Sequence, residues 1–184
     1  MVKALQKRKY LTEAEVSQLL KAIAQSENRY RHRDRTLVLL LYRHGLRRLE
    51  ASQLKWNDID LVGSTIYINR VKGSISGSHP LQGDELRSLR KLKRETDPYP
   101  WVFLSQKNQP ISPRRITAIV QDYATAAGFE FRVTSKALRH ACGYYLANKG
   151  IDTRTIQSYL GHAKINNTVI YTQIAANRFD KLFQ

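Results

Sequence analysis

The sequence predicts an α+β domain that is mainly α-helical and carries a small three-stranded antiparallel sheet. Three observations lead there. Apolar residues recur at helical spacing over most of the 184 residues. Between Trp56 and Leu81 the period falls instead to two, broken by Gly-Ser and Lys-Gly turns. A 42% apolar content, with no internal repeat, low-complexity run or linker, provides for one core, so residues 1–184 are expected to form a single domain.

Taken in order, residues 1–10 are a basic lead-in. Thr12 and Glu15 have capping-box spacing and open a helix whose inward face is Val16, Leu19, Leu20 and Ile23, ending near Gln25. The stretch 28–35 holds Arg29, Arg31, Arg33 and Arg35 and reads as a solvated loop or a phosphate contact, with Asp34 as the cap of a second helix. That helix, 36–44, is almost wholly apolar and belongs at the centre of the core, stopped by Gly45 in a left-handed cap. A short helix, 47–55, starts at once. Arg47 therefore stands where a buried helix meets a fresh N-terminus, a position that attracts anions, which makes it a candidate phosphate contact.

The meander runs through 59–62, a turn at Gly63 and Ser64, 65–70, a second turn at Lys72 and Gly73, and 74–80. Lys72 falls at the tip of the second hairpin, where a lone lysine is more often a solvated charge than a functional one. The helix 84–94 turns Leu86, Leu89 and Leu92 inward and Arg87, Arg90, Lys91, Lys93 and Arg94 outward. Asp97, Pro98 and Pro100 break the chain, and 101–104 reads as a short strand bordering the sheet. Ser112 as N-cap and Pro113 behind it open a helix through Ile116, Ile119, Val120 and Tyr123, closed by Gly128. Arg48, Arg114 and Arg115, at helix starts, are candidate DNA contacts.

Thr134 or Ser135 caps a helix carrying Lys136, Arg139, His140 and Cys142 and closed by Gly150; Lys136 and Arg139, three apart, share a face. Asp152 opens the helix 153–160, Gly161 breaks it, and a segment around Thr168 and Thr172 carries Tyr171. Residues 175–184 read as a tail helix with Phe179, Leu182 and Phe183 apolar, docking on a neighbour or folding back on its own domain.

Charge narrows the function. Lys and Arg number 31 against 15 Asp and Glu, a formal charge of +16, so the expected partner is a polyanion, above all nucleic acid. A membrane is the poorer match: no apolar run approaches the roughly 20 residues that span a bilayer, and the start lacks the apolar core of a signal peptide. Cys142 is the only cysteine, which excludes an intramolecular disulfide or a cysteine zinc site and fits the cytoplasm. The histidines, His32, His44, His79, His140 and His162, lack metal-ligand spacing, so chemistry on a phosphodiester is expected to need neither metal nor cofactor.

Gly45-Leu46-Arg47 with Glu50, Lys72 in a hairpin, Leu138-Arg139-His140, Leu160-Gly161-His162 and finally Tyr171 come in fixed order over roughly residues 10 to 180. Together they resemble the catalytic domain of the tyrosine recombinases, the phage-integrase family, and are most similar to the small fimbrial phase-variation invertases. The resemblance implies that family's catalytic-domain fold and a site-specific recombinase. Tyr171 would attack a backbone phosphate, giving a 3′-phosphotyrosyl bond and a free 5′-hydroxyl. Arg47 and Arg139 would clamp the phosphate oxygens, His162 would add a hydrogen bond, and Lys72 would protonate the leaving oxygen. Glu50 would orient Arg47, and His140 would pack or hydrogen-bond within the domain.

The sequence departs from the family's pattern at Lys136, where histidine usually stands; lysine keeps a donor but is a poor base. The resemblance also implies a chain without the family's separate N-terminal core-binding domain, and a homotetramer on two DNA sites assembled from monomers, acting in the cytoplasm on the nucleoid. Three readings stay open: an active recombinase performing inversion, integration or excision; a DNA-binding regulator with impaired cutting; and a type IB topoisomerase-like enzyme, since the poxvirus members carry lysine at the Lys136 position.

Overall fold

A computed structural model describes residues 10–71 and 73–173 of the chain. The expected lead-in, Lys72 and the expected tail helix at 175–184 lie outside the described residues. The elements run α1 (Glu13–Gln25), α2 (Arg31–Arg43), α3 (Arg48–Gln53), a single 3-10 turn (Trp56–Asp58), β1 (Ile59–Asp60), β2 (Thr65–Ile68), β3 (Gly77–Pro80), α4 (Gly83–Thr96), α5 (Pro113–Ala126), α6 (Ser135–Asn148), α7 (Thr153–Leu160) and α8 (Asn166–Gln173).

The apolar helix α2 is the axis of the core. Leu37, Val38, Leu40 and Leu41 are fully buried, and α1, α3, α4 and α6 all pack against the helix. Burial on every side explains why its sequence shows no polar stripe. Thr12 caps α1 as expected, its backbone N–H donating to Glu15 Oε2 at 2.7 Å, while Ser112 accepts from Arg115 N at the start of α5. Of the two candidates for α6, Thr134 is the cap, accepting from Ala137 N.

From Arg31 onward the arginine run is helix rather than loop, and Arg29 stays in the turn before it. Helix α2 begins at Arg31, so Asp34 lies inside the first turn rather than capping it, fully buried and held by Arg33 Nε and Nη2 at 2.8 and 2.7 Å. Arg33 Nη1 also donates to Leu104 O at 2.7 Å, which makes this arginine a strut between helix and loop rather than a phosphate contact. A residue pair that is polar in sequence can enter the core when it satisfies itself there.

The sheet has the order β1-β2-β3, antiparallel throughout, with Ile59 opposite Ile66 and then Ile66 opposite His79. Ile66 and Ile68 are buried and Tyr67 is exposed, the alternation that a one-sided sheet requires. In the first turn it is Ser64, not Gly63, that takes positive φ, while Asp60 Oδ1 accepts from the N–H groups of Val62 and Gly63. The span 101–104 does not border this sheet. Trp101 bridges only Lys55, and Leu104 only Pro110, because the fully buried Val102 and Phe103 use their backbones to tie the α3 exit to the α5 approach.

A polar cluster inside the fold carries no signature in the sequence. His44 Nε2 meets Glu85 Oε1 at 3.0 Å and its Nδ1 meets His79 Nδ1 at 3.2 Å, while His79 stacks on Tyr159 with ring centroids 3.8 Å apart. Arg43 adds a two-pronged bond to Asp84, at 2.5 and 2.8 Å. The end of α2 is thereby fastened to β3, α4 and α7 at once. That end carries the site.

Candidate active site

Gly45 follows α2 with φ of +56°, the left-handed conformation in which glycine is unstrained. A Cβ there would lie 2.5 Å from Leu160 Cδ2, so α7 abuts the turn directly. Arg47 is the next helix's N-cap, and its backbone N–H donates to Glu50 Oε2 at 2.8 Å. Glu50 Oε1 accepts from Arg47 Nη1 at 2.6 Å. The carboxylate thus bonds the Arg47 fork and backbone together.

Glu50 has a second cationic partner that sequence reasoning missed. Arg70 Nη1 lies 2.8 Å from Glu50 Oε2 and 3.2 Å from Gly45 O, and Nη2 donates to His44 O and Tyr159 O at 3.1 and 2.8 Å. A signal existed. The period of two that buries Ile66 and Ile68 also directs residue 70 inward, and a charge on an inward position calls for a partner. Burial opposes ionisation of Glu50, but the Arg47 N–H and the Arg70 charge outweigh it and hold the carboxyl below its ordinary value.

Arg139 comes from the second turn of α6. Its side chain is mostly buried, donating to Gly45 O through Nη1 and to Leu160 O through Nη2 at 2.7 Å. Burial, with Arg47 and Arg70 nearby, lowers it to about 10, so it remains charged at neutral pH. Tyr171, on α8, is 1% exposed. Its ring lies against Gly143, where a Cβ would come within 2.6 Å of Tyr171 Cε2, and parallel to His162 at 6.3 Å between centroids. Its Oη is 3.0 Å from His140 Nδ1. Burial pushes the phenol up to about 12.

His162, in the turn after the left-handed Gly161, meets Thr168 Oγ1 through Nδ1 at 2.8 Å. Burial and then the charges of Arg139 and Arg47 lower it to about 4, so the ring is neutral at pH 7. A cleft of about 800 Å³ joins these groups, its walls including Arg47, Arg48, Lys136, Arg139, His140, His162 and Tyr171. Lys136 is exposed on the first turn of α6, on the cleft side with Arg139.

Arg132 also lines this cleft; it stands in a loop, where no periodicity marks it. Arg114 and Arg115 are exposed at the start of α5 outside the cleft wall, Arg115 lying 3.6 Å from Asp122. Among the described residues no group of three or more His, Cys, Asp or Glu is placed to hold a metal ion, and no helix is long and apolar enough to cross a membrane. The arrangement can hold the oxygens of a phosphate between fixed cations, with a phenol beside them.

Comparison with known proteins gives this geometry a context. Residues 9–178 match the phage integrase family. The type 1 fimbriae regulatory protein FimB of Escherichia coli (strain K12) is 41% identical over 178 residues, 94% of this chain and 88% of FimB. A crystal structure of XerA recombinase superimposes with a TM-score of 0.81 at 26% identity, over 95% of this chain and 63% of that one. The XerH site-specific recombinase, in a post-cleavage complex with a palindromic difH substrate, gives 0.78 at 26% identity, over 93% of this chain and 51% of that one.

Proposed function

This chain belongs to the phage integrase family, and from that premise we propose that it is a site-specific DNA recombinase which cuts and rejoins strands through Tyr171. The observation that carries the proposal is one cleft walled by Arg47, Arg139, His162 and Tyr171, residues drawn from four separate elements. In the proposed reaction Tyr171 Oη attacks the scissile phosphorus and the bond to the 5′-oxygen breaks, leaving a 3′-phosphotyrosyl link that conserves the phosphodiester energy.

Arg47 and Arg139 bind the non-bridging oxygens, where charge grows in the transition state; losing one such donor costs about 3 kcal/mol in typical cases. Nδ1 of the neutral His162 pairs with Thr168 Oγ1, and in the tautomer that carries its proton on Nε2 the ring donates to the same phosphate. Lys72 protonates the leaving 5′-oxygen, Glu50 holds Arg47, and Lys136 adds positive charge at the cleft mouth. Arg48, Arg114 and Arg115 grip the flanking backbone of double-stranded DNA. The +16 charge supports that partner. We further propose monomers in the absence of DNA, a tetramer on two sites, inversion or integration and excision as outcomes, and a cytoplasmic place on the chromosome.

A duplex nicked beside the cleavage site tests this. The free end diffuses away after attack, so wild type is expected to accumulate a covalent protein–DNA adduct and Tyr171→Phe none. Equal adduct from both proteins would show that another group is the nucleophile. Relaxation of supercoiled DNA without site preference would instead favour a topoisomerase.

A further inference from the structure

We infer that His140 is the base that takes the phenolic proton from Tyr171; the inference rests on the reading of Tyr171 as nucleophile. His140 Nδ1 and Tyr171 Oη are 3.0 Å apart, within the range over which a proton is transferred directly. The two rings meet at 59° with centroids 5.8 Å apart, and both line the cleft that holds the arginines. His162, the other histidine beside the phenol, has its Nδ1 engaged by Thr168 and lies parallel to the ring instead of meeting its oxygen.

Lys136 occupies an exposed place one turn earlier on α6. An ammonium has no lone pair, so Lys136 can donate to a phosphate but cannot receive the proton. His140 supplies what that position lacks. A phenol raised by burial makes a contacting acceptor necessary at neutral pH.

Atoms and electrons balance in this step. The Oη–H bond breaks and its proton passes to Nδ1, whose lone pair requires that the resting ring carry its proton on Nε2. The oxygen's electron pair forms the bond to phosphorus, and the bond to the 5′-oxygen breaks, that oxygen taking a proton from Lys72. Religation reverses each transfer. The groups sharing the cleft with His140 are Arg47 and Arg48 at the α3 start, Arg132, Lys136 and Arg139 of α6 and the loop before it, His162 after α7, and Tyr171. Tyr10 borders the ring on its other side. Among these cations, the scissile phosphate provides the negative charge that offsets the imidazolium.

His140→Asn separates a base from a mere positioning group, because its amide can still hydrogen-bond the phenol near the Nδ1 position but cannot accept a proton. Single-turnover adduct formation on the nicked duplex is to be followed from about pH 5.5 to 9, with DNA affinity measured alongside to establish that the variant is folded. The expected result is a rate lower by about 100-fold or more, unchanged affinity, and loss of the limb in which the wild-type rate rises with pH. Added imidazole is expected to restore part of the rate to His140→Ala.

A rate for Asn within about threefold of wild type, or a slow rate that keeps the rising limb, overturns the inference and leaves His140 a positioning residue. Tyr171→Phe separates the two levels. If Phe is inert while Asn behaves as wild type, the base assignment alone falls; if Phe still forms adduct, the nucleophile reading falls and this inference with it.

Discussion

Arg70 and Glu50 have side chains 1% exposed and lie 2.8 Å apart, which makes their pairing a condition of the site rather than an ornament to it. Removing the cation leaves a carboxylate in the interior with Arg47 alone among the described residues to neutralise it, and Arg47 is the group proposed to bind the phosphate. Arg70→Met is expected to lower unfolding free energy by about 3 kcal/mol in a denaturant titration. A change under about 1 kcal/mol would mean that neither the ion pair nor the bonds from Arg70 to the carbonyls of His44, Gly45 and Tyr159 anchor this hairpin. At this scale the sequence is readable where residues stand in ordered motifs: Arg47, Glu50, Arg139, His162 and Tyr171 all lie at or behind one cleft. Arg70 and Glu85 escape such a reading because a buried charge looks in sequence like a surface one, and only its partner, distant along the chain, tells the difference.

Elements, too, are legible where capping chemistry is local. Thr12, Ser112, Thr134 and Asp152 each satisfy N–H groups at a helix start, and Gly45 and Gly161 take the left-handed turns that end α2 and α7. Helix α2 starts earlier than expected since Asp34 is neutralised by Arg33 beside it, a tertiary circumstance that composition cannot express. The contact of α6 with α8 is the one on which Tyr171 depends. Gly143→Ala places a methyl group 2.6 Å from the tyrosine ring, so α8 must shift. Overpacking of this kind costs about 1–3 kcal/mol, and adduct formation is expected to fall further than stability does, since a displaced Tyr171, the proposed nucleophile, loses alignment as well. Thermal unfolding together with adduct yield would check both. Unchanged adduct yield would show that α8 carries Tyr171 to the phosphate by a route independent of this contact.

The whole molecule is held in part by histidines kept neutral. Burial lowers His79 to about 3, with His44 and Arg70 adding to the effect, and lowers His162 to about 4, against an ordinary 6.5. Between those values the unfolded chain binds protons that the folded chain refuses, so stability rises with pH there. It is therefore expected to be full above about pH 6.5 and to decline as pH falls toward 4, where the lowered carboxyls of Glu50 and Glu85 begin to add their own losses. Urea midpoints at pH 7 and 5 would show the fall; equal midpoints would mean that the buried histidines are protonated in both states. Positive charge acts on the same scale. Binding to duplex DNA is expected to weaken with salt at a log–log slope of about 0.9 per phosphate neutralised.

The central claim is that segments from four parts of the chain meet so that one particular hydroxyl among 10 tyrosines attacks the phosphate. Its most direct test is to digest the trapped protein–DNA adduct and locate the nucleotide by peptide mass. The expected result is a 3′-linked nucleotide on the peptide containing Tyr171 and on no other. Attachment at Tyr144, which packs edge-on against Tyr171 at 5.1 Å, or at any other residue, would contradict it.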